Sequence, residues 1–318
     1  MHLVSFAPHT GHVASHIADA APWQLVNRRP FLFRHDLMDL PLFDLPRLAE
    51  LSKLAIESGS ESHLTAAERH AGKARRVSEM LRKIDDLRTG KHWLKVLAAD
   101  HLDAEYAHLL HTLLGEIEEL AGIDIRSRMT WSGMDIFMNS PNLQVPYHFD
   151  HDSNFLMQVT GEKDDNLFDP DDRAVLTEAE IEDYYRGNKI AGRFRDSIML
   201  AAKRHHLSPG LGVHHPPLAP HLIRNGGEIS VSVAVYFVLP EQERRARIYQ
   251  ANHFMRKLGL RPQPPGRSRG ADFLKVALLG ALSMSNPHTY DERLYSGVRR
   301  LAAPAEAAKR LRSRFRPH

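Results

Sequence analysis

Residues Ser230–Phe237, Ser-Val-Ser-Val-Ala-Val-Tyr-Phe, alternate small side chains with β-branched or aromatic ones. Side chains on a strand point to opposite faces with a period of two, so this run reads as a half-buried strand. Asn225-Gly226-Gly227 before it reads as a turn, and His221 stands near the end of the preceding strand. Further short extended runs lie upstream, from Met129 to Phe137, from Gln144 to Asp150 and again around His205. Many short strands punctuated by Gly and Pro suit a closed or sandwiched β architecture.

The run Gln144-Val145-Pro146-Tyr147-His148-Phe149-Asp150 carries the chemistry. Period-two alternation puts His148 and Asp150 on one face. An imidazole and a carboxylate so placed can fill two adjacent positions of a metal. A second histidine from a rigid strand end, His221, completes a 2-His-1-carboxylate set, the ligand pattern of non-heme Fe(II) oxygenases, with positions left open. The chain has 21 histidines, so an H-x-D triplet and a histidine before a turn also arise by chance. His214 and His215 precede Pro216-Pro217. One of them is expected to line a pocket and neither to bind metal. His205 and His206 are expected to serve packing. Asp152 is a candidate acceptor for a ligand imidazole.

The context of the triplet resembles the jumonji-C and cupin-like branch of the 2-oxoglutarate-dependent oxygenases, in particular its asparaginyl-hydroxylase type. The resemblance is carried by His148-Phe149-Asp150 with Asn154-Phe155, Gln158, Gly161, Lys163, Leu167-Phe168 and Pro170. Leu207-Ser208-Pro209-Gly210, Pro220-His221 and the closing Ser/Val strand extend it over about residues 126–240. It implies an α+β chain with a double-stranded β-helix, or jelly roll, between helical flanks. The implied activity is that of an Fe(II)- and 2-oxoglutarate-dependent dioxygenase, a hydroxylase consuming O2. The iron ligands would be His148, Asp150 and His221. Lys163 would anchor the distal carboxylate of 2-oxoglutarate, with Arg224 as fallback, and Asn154 would add a polar contact. The pattern departs in two places: Val145 stands where a hydroxyl residue is common, and Ala234 where an asparagine is expected. Ser132, Ser230 or Ser232 would then supply hydrogen bonds. The implied substrate is a peptide or protein side chain, with a small metabolite as the other option. Two rivals are a non-catalytic cupin-like sensor and a metal-dependent cupin enzyme that does not use 2-oxoglutarate.

Composition narrows the setting. A chain of 318 residues that is 42% hydrophobic and 25% charged has the make-up of a globular protein. No apolar run reaches the roughly 18–20 residues that span a bilayer, and no secretory signal is apparent. The absence of cysteine rules out disulfides and thiolate metal sites and fits a reducing, cytoplasmic compartment. The net charge of +3 conceals an asymmetry: residues 241–318 hold 17 cationic against 6 acidic side chains. A basic tail suits an acidic partner such as nucleic acid, but no aromatic stacking pattern accompanies it. Its apolar stretches, Phe273-Leu274 and Val276 to Leu282, favour a helical homodimer contact with arginines on the rim.

Three regions are expected: mainly helical residues 1–125, a β core over 126–240, and a basic helical region over 241–318. Residues 1–30 are expected to wrap the surface, with Pro30–Arg34 as a strand at a sheet edge. Helices are expected from Asp44, over 64–87 and over 102–121. Residues 171–197 read as a helical insertion opening on the capping-box sequence Thr177-Glu178-Ala179-Glu180. Later helices are expected at Ile248–Leu260, Leu274–Leu282 and Ala305–Phe315.

Overall fold

The computed structural model describes residues 13–15, 22–59, 72–283, 286, 287 and 289–314. The expectations for 1–12, 16–21, 64–71 and Phe315 fall outside the described residues. The chain divides into two compact units. One joins the residues up to Asp171 with Ser197–Val238; the other joins Asp172–Asp196 with the residues from Leu239 onward. The insertion expected inside the β core thus groups with the C-terminal helices.

The first unit is built on eleven described strands: β1 (Val13–Ser15), β2 (Phe31–His35), β3 (Trp93–Val96), β4 (Trp131–Asn139), β5 (Gln144–His148), β6 (Ser153–Thr160), β7 (Lys163–Leu167), β8 (Lys203–Leu207), β9 (Leu211–His215), β10 (His221–Asn225) and β11 (Ser230–Val238). They form a seven-stranded sheet in the order β1-β2-β9-β6-β11-β4-β3 and a four-stranded sheet in the order β5-β10-β7-β8. Every pairing is antiparallel. The alternating strand β11 sits inside the larger sheet, between β6 and β4, and is paired along both edges. Its even-numbered residues share a face with the β6 residues Asn154, Leu156 and Gln158.

One hydrophobic cluster draws on both sheets. Leu156, Val213 and Ala234 from the large sheet pack with Leu167, Leu207 and Ile223 from the small one. The inner faces of the two sheets are therefore known residue by residue. On β7 they include Lys163, Asp165 and Leu167, and on β10 His221, Ile223 and Asn225. This two-sheet arrangement is the double-stranded β-helix expected from the sequence.

Helices α1 (Leu45–Ser58), α2 (Lys73–Asp85), α3 (Ala99–Leu102) and α4 (Ala104–Ala121) belong to the same unit. Asp44 does occupy the N-cap of α1, although its side chain makes no capping bond. Asp103 caps α4 by accepting from the Glu105 amide. Buried Leu109, Leu110, Leu113, Leu114 and Ile117 form the apolar stripe of α4. Strand β3 has no counterpart among the sequence expectations, because four residues are too few to set a period. The strand expected over Pro30–Arg34 forms as β2, one residue later, but it lies between β1 and β9 and not at the edge.

The second unit holds α5 (Glu178–Tyr185), α6 (Pro240–Lys257), α7 (Arg269–Leu282) and α8 (Tyr290–Arg314). The capping box at Thr177 forms as its sequence suggests, with both reciprocal bonds to Glu180. Helix α6 begins at Pro240, eight residues before the expected Ile248. Proline suits a first helical position because its missing N–H would have no partner there. Ala251, Leu279 and Val298 are the centre of this unit's core, and Glu182 accepts from Arg256 at 2.9 and 3.0 Å. Among the described residues no helix is long and apolar enough to cross a membrane.

Candidate metal centre

Strands β5 and β10 are hydrogen-bonded neighbours, with His148 opposite His221. The register slips between His221 and Ile223, so the pairing is irregular where the two imidazoles meet. Their ring centroids lie 4.1 Å apart at 52°. Asp150 lies just beyond the end of β5, not within it. The expectation of a continuous strand through the triplet therefore stops at His148, and the carboxylate comes from the irregular segment that follows. His148 Nε2 and Asp150 Oδ2 are 3.8 Å apart. His148, Asp150 and His221 each offer one ligand atom, and these lie within 4.8 Å of one another. Among the described residues this is the one such group of three.

Both imidazoles are held by their other nitrogen. The Nδ1 of His148 is 2.8 Å from the Pro146 carbonyl, and the Nδ1 of His221 is 3.1 Å from the Ala219 carbonyl. A carbonyl only accepts, so each Nδ1 must carry the proton, and each Nε2 is left with its lone pair. That is the tautomer a metal ligand needs. Burial, then the charges of His148 and His215, push His221 down to about 3, which favours the neutral, ligating form. His148 and Asp150 expose 33% and 44% of their side chains, so the group opens to one side. The donor set of two neutral imidazoles and a carboxylate with an open side fits a divalent iron.

Deeper between the sheets, Lys163 is the first residue of β7 and is only 3% exposed. It is thus part of a strand and buried, not a solvated residue of the preceding turn. Gly161 has φ +69°, and a Cβ there would collide with the Ile229 carbonyl, so the turn into β7 requires glycine. Lys163 Nζ donates to Ser232 Oγ at 2.8 Å. Burial pushes its ammonium down to about 8, opposed by the charge of Asp165. Of the three serines considered for hydrogen bonding, Ser232 is the one that meets this lysine. Arg224 is exposed and alternates with the inward Ile223 and Asn225, so it faces away from the interior. Asn154 lies on β6 opposite His215 and Tyr236, and its buried Oδ1 has no hydrogen-bond partner among the described residues.

The neighbouring histidines separate cleanly. His214 is fully buried; its Nε2 accepts from the Asn27 amide at 3.1 Å, and its ring stacks on Phe155. His215 faces the interior, its ring 4.4 Å from that of His221. His206 is outside, bonded to Asp164. Asp152 makes no bond to a ligand imidazole among those described; its buried Oδ1 has no partner, and burial with the charges of Asp150 and Asp135 pushes its carboxyl well up.

Two groups escaped the sequence reading. Asp165 Oδ2 is 2.7 Å from His215 Nε2, a buried pair joining the two sheets. Asp135 on β4 accepts from the Ala98 amide at 3.0 Å and is pushed up to about 6, chiefly by burial. The alternation Lys163-Asp164-Asp165-Asn166-Leu167 marks Asp165 as sharing the face of Lys163. That was the available signal. Nothing in the one-dimensional pattern separates Asp135 from a solvated aspartate.

The family described as the cupin-like domain matches residues 26–307. No curated protein matches the chain in sequence. Among solved structures, the chain is similar to the ribosomal oxygenase YcfD from Escherichia coli, at 16% identity and a TM-score of 0.39 over 92% of this chain and 64% of that one. The complex of YcfD with cobalt and 2-oxoglutarate matches at 17% and 0.40, over 90% and 63%. Its complex with cobalt and succinic acid matches at 17% and 0.39, over 82% and 65%. The chain thus spans a little under two thirds of the length of these structures. With the family pattern matched across most of its length, the chain belongs to the family of cupin-like domains.

Proposed function

We propose that this protein is an Fe(II)- and 2-oxoglutarate-dependent dioxygenase that hydroxylates a C–H bond, with a peptide or protein side chain as substrate. One observation carries the reading. Two imidazoles with their Nδ1 atoms committed to backbone carbonyls, and one carboxylate, gather three ligand atoms within 4.8 Å at the open end of a β-helix. His148 and His221 would hold the iron through Nε2, and Asp150 through its carboxylate. Iron with 2-oxoglutarate and O2 supplies oxidising power sufficient for an unactivated C–H, releasing succinate and CO2.

The remaining work falls to the chain itself. Lys163 and Ser232, buried together, offer a fixed cation and a hydroxyl to the distal carboxylate of the cosubstrate. Asn154 offers an unpaired amide oxygen on the same inner face. The inner cluster of Leu156, Val213, Ile223 and Ala234 keeps water from the reacting groups. The half-open flank at His148 and Asp150 suits a residue presented by a macromolecule.

We further infer a homodimer through the C-terminal helices. Phe273, Leu274 and Leu278 of α7 are 67%, 69% and 53% exposed, more apolar surface than a lone helix keeps in water. A chain without cysteine suits a cytoplasmic site of action.

The experiment that tests the activity is an anaerobic absorption spectrum of the folded protein with Fe(II) and 2-oxoglutarate. A charge-transfer band that needs all three components is expected. Its absence from well-folded protein overturns the reading.

A further inference from the structure

We propose that Asp165 is a positioning residue for the metal centre, acting through His215; this rests on the reading of His148, Asp150 and His221 as metal ligands. His221 is flanked by two other imidazoles. The ring of His148 lies 4.1 Å away at 52°, and that of His215 lies 4.4 Å away at 53°. The His221 Nδ1 bond to the Ala219 carbonyl anchors one edge of the ring. It does not fix the tilt of the ring plane about that bond, which the flanking rings set. The His148 side is soft, because that side chain is one third exposed. The His215 side is firm, because His215 is 6% exposed and bonded through Nε2 to Asp165.

Asp165 is an expensive residue to keep for packing alone. It is 0% exposed, and a buried carboxylate without adequate partners costs several kcal/mol. The same interior is otherwise filled by Leu156, Leu167, Leu207, Val213 and Ile223, so an apolar side chain would suit the position. Asp165 instead reaches across from β7 to the histidine on β9 that touches His221. It is also the register partner of His205 on β8. Asp165 Oδ1 and His205 Nε2 are both buried without a hydrogen-bond partner among the described residues. The bond to His215 is thus the side-chain hydrogen bond that Asp165 makes among those described. In this arrangement β7 supports the centre from below: Asp165 fixes the His215 ring, the His215 ring fixes the tilt of His221, and that tilt aims Nε2.

The test uses the full chain with Co(II) as probe, read by titration and by absorption spectrum, with no cosubstrate and no turnover. Wild type should bind Co(II), and His148→Ala should abolish binding. If wild type binds none, the metal reading falls and this inference with it. Given wild-type binding, Asp165→Asn and His215→Phe should each weaken Co(II) by roughly ten- to a hundredfold and shift the spectrum, the usual scale for residues that orient a metal ligand. The double variant should be no weaker than the weaker single, because the two residues act in series. Leu207→Ala, a cavity in the same core, should lower the melting temperature and leave Co(II) affinity unchanged. Wild-type affinity and spectrum in both single variants would overturn the inference while leaving the metal site standing. Losses that add in the double variant would overturn it too, since Asp165 would then act by another route. Should Asp165→Asn not fold, His215→Phe against Leu207→Ala decides the matter.

Discussion

The two compact units break the usual rule of burial in opposite directions. In the β unit, Lys163, Asp165, His205, His215 and His221 are all at most 6% exposed. In the helical unit, Phe273, Leu274 and Leu278 are all more than half exposed. A buried polar group and an exposed apolar patch are the informative exceptions to a rule that most residues obey. The physics of the two differs. A buried charge loses its hydration and is tolerated only with partners, so a file of them between two sheets marks a place built for a polar or ionic guest. An exposed apolar helix face costs free energy in water until a second surface covers it, which is the ground for the proposed dimer contact. The first exception underlies the proposed metal and cosubstrate site, and the second the proposed dimer contact.

That contrast can be broken most decisively at the ligands. His148→Ala or Asp150→Ala should abolish iron binding and leave the fold largely intact, as both sit at the rim and not in the apolar cluster. Metal content of the purified variants is the measurement, and full iron stoichiometry in either removes that residue from the site.

The next effect lies deeper in the same unit. Lys163→Ala should spare iron and weaken 2-oxoglutarate by about ten- to over a hundredfold, the equivalent of losing a charge-assisted bond of roughly 1.5–3 kcal/mol. Calorimetric titration of the iron-loaded protein checks it. The same lysine predicts a pH dependence. Burial lowers its pKa to about 8, so the ammonium that would hold the carboxylate is lost as pH rises through that value. Affinity for 2-oxoglutarate should fall above about pH 8, and Lys163→Arg should flatten the fall. A profile flat to pH 9 in the wild type would argue against this cation.

The helical unit supplies the complementary break. Phe273→Glu with Leu278→Glu should convert a dimer to a monomer in light scattering at micromolar concentration, while iron and 2-oxoglutarate binding persist. A wild-type chain of monomeric mass would end the dimer proposal, and a double variant that stays dimeric would move the contact elsewhere. The smallest effect expected is that of Ser232→Ala. It removes the hydroxyl that Lys163 meets at 2.8 Å and leaves the charge in place. With the cation still in place, a loss of about 1 kcal/mol is expected, roughly fivefold in 2-oxoglutarate affinity.

The sequence by itself determined the β character of the centre, because period-two alternation over 230–237 and the Gly and Pro turns are local properties of the chain. Local chemistry likewise marked the capping box at Thr177, the helix start at Asp44, and the His148-x-Asp150 triplet. Only the tertiary structure decided the rest. The β5–β10 pairing and its slipped register bring His148 against His221, and no local pattern encodes a distance between residues so far apart in the chain. The same holds for the burial of Lys163 against Ser232, and for Asp165 finding His215 across two sheets. Nor could sequence assign 172–196 to the helical unit, since a helix carries its period but not the surface it will cover. Periodicity tells which face of an element is apolar; only the packing of sheet on sheet tells which polar residues that face will shelter.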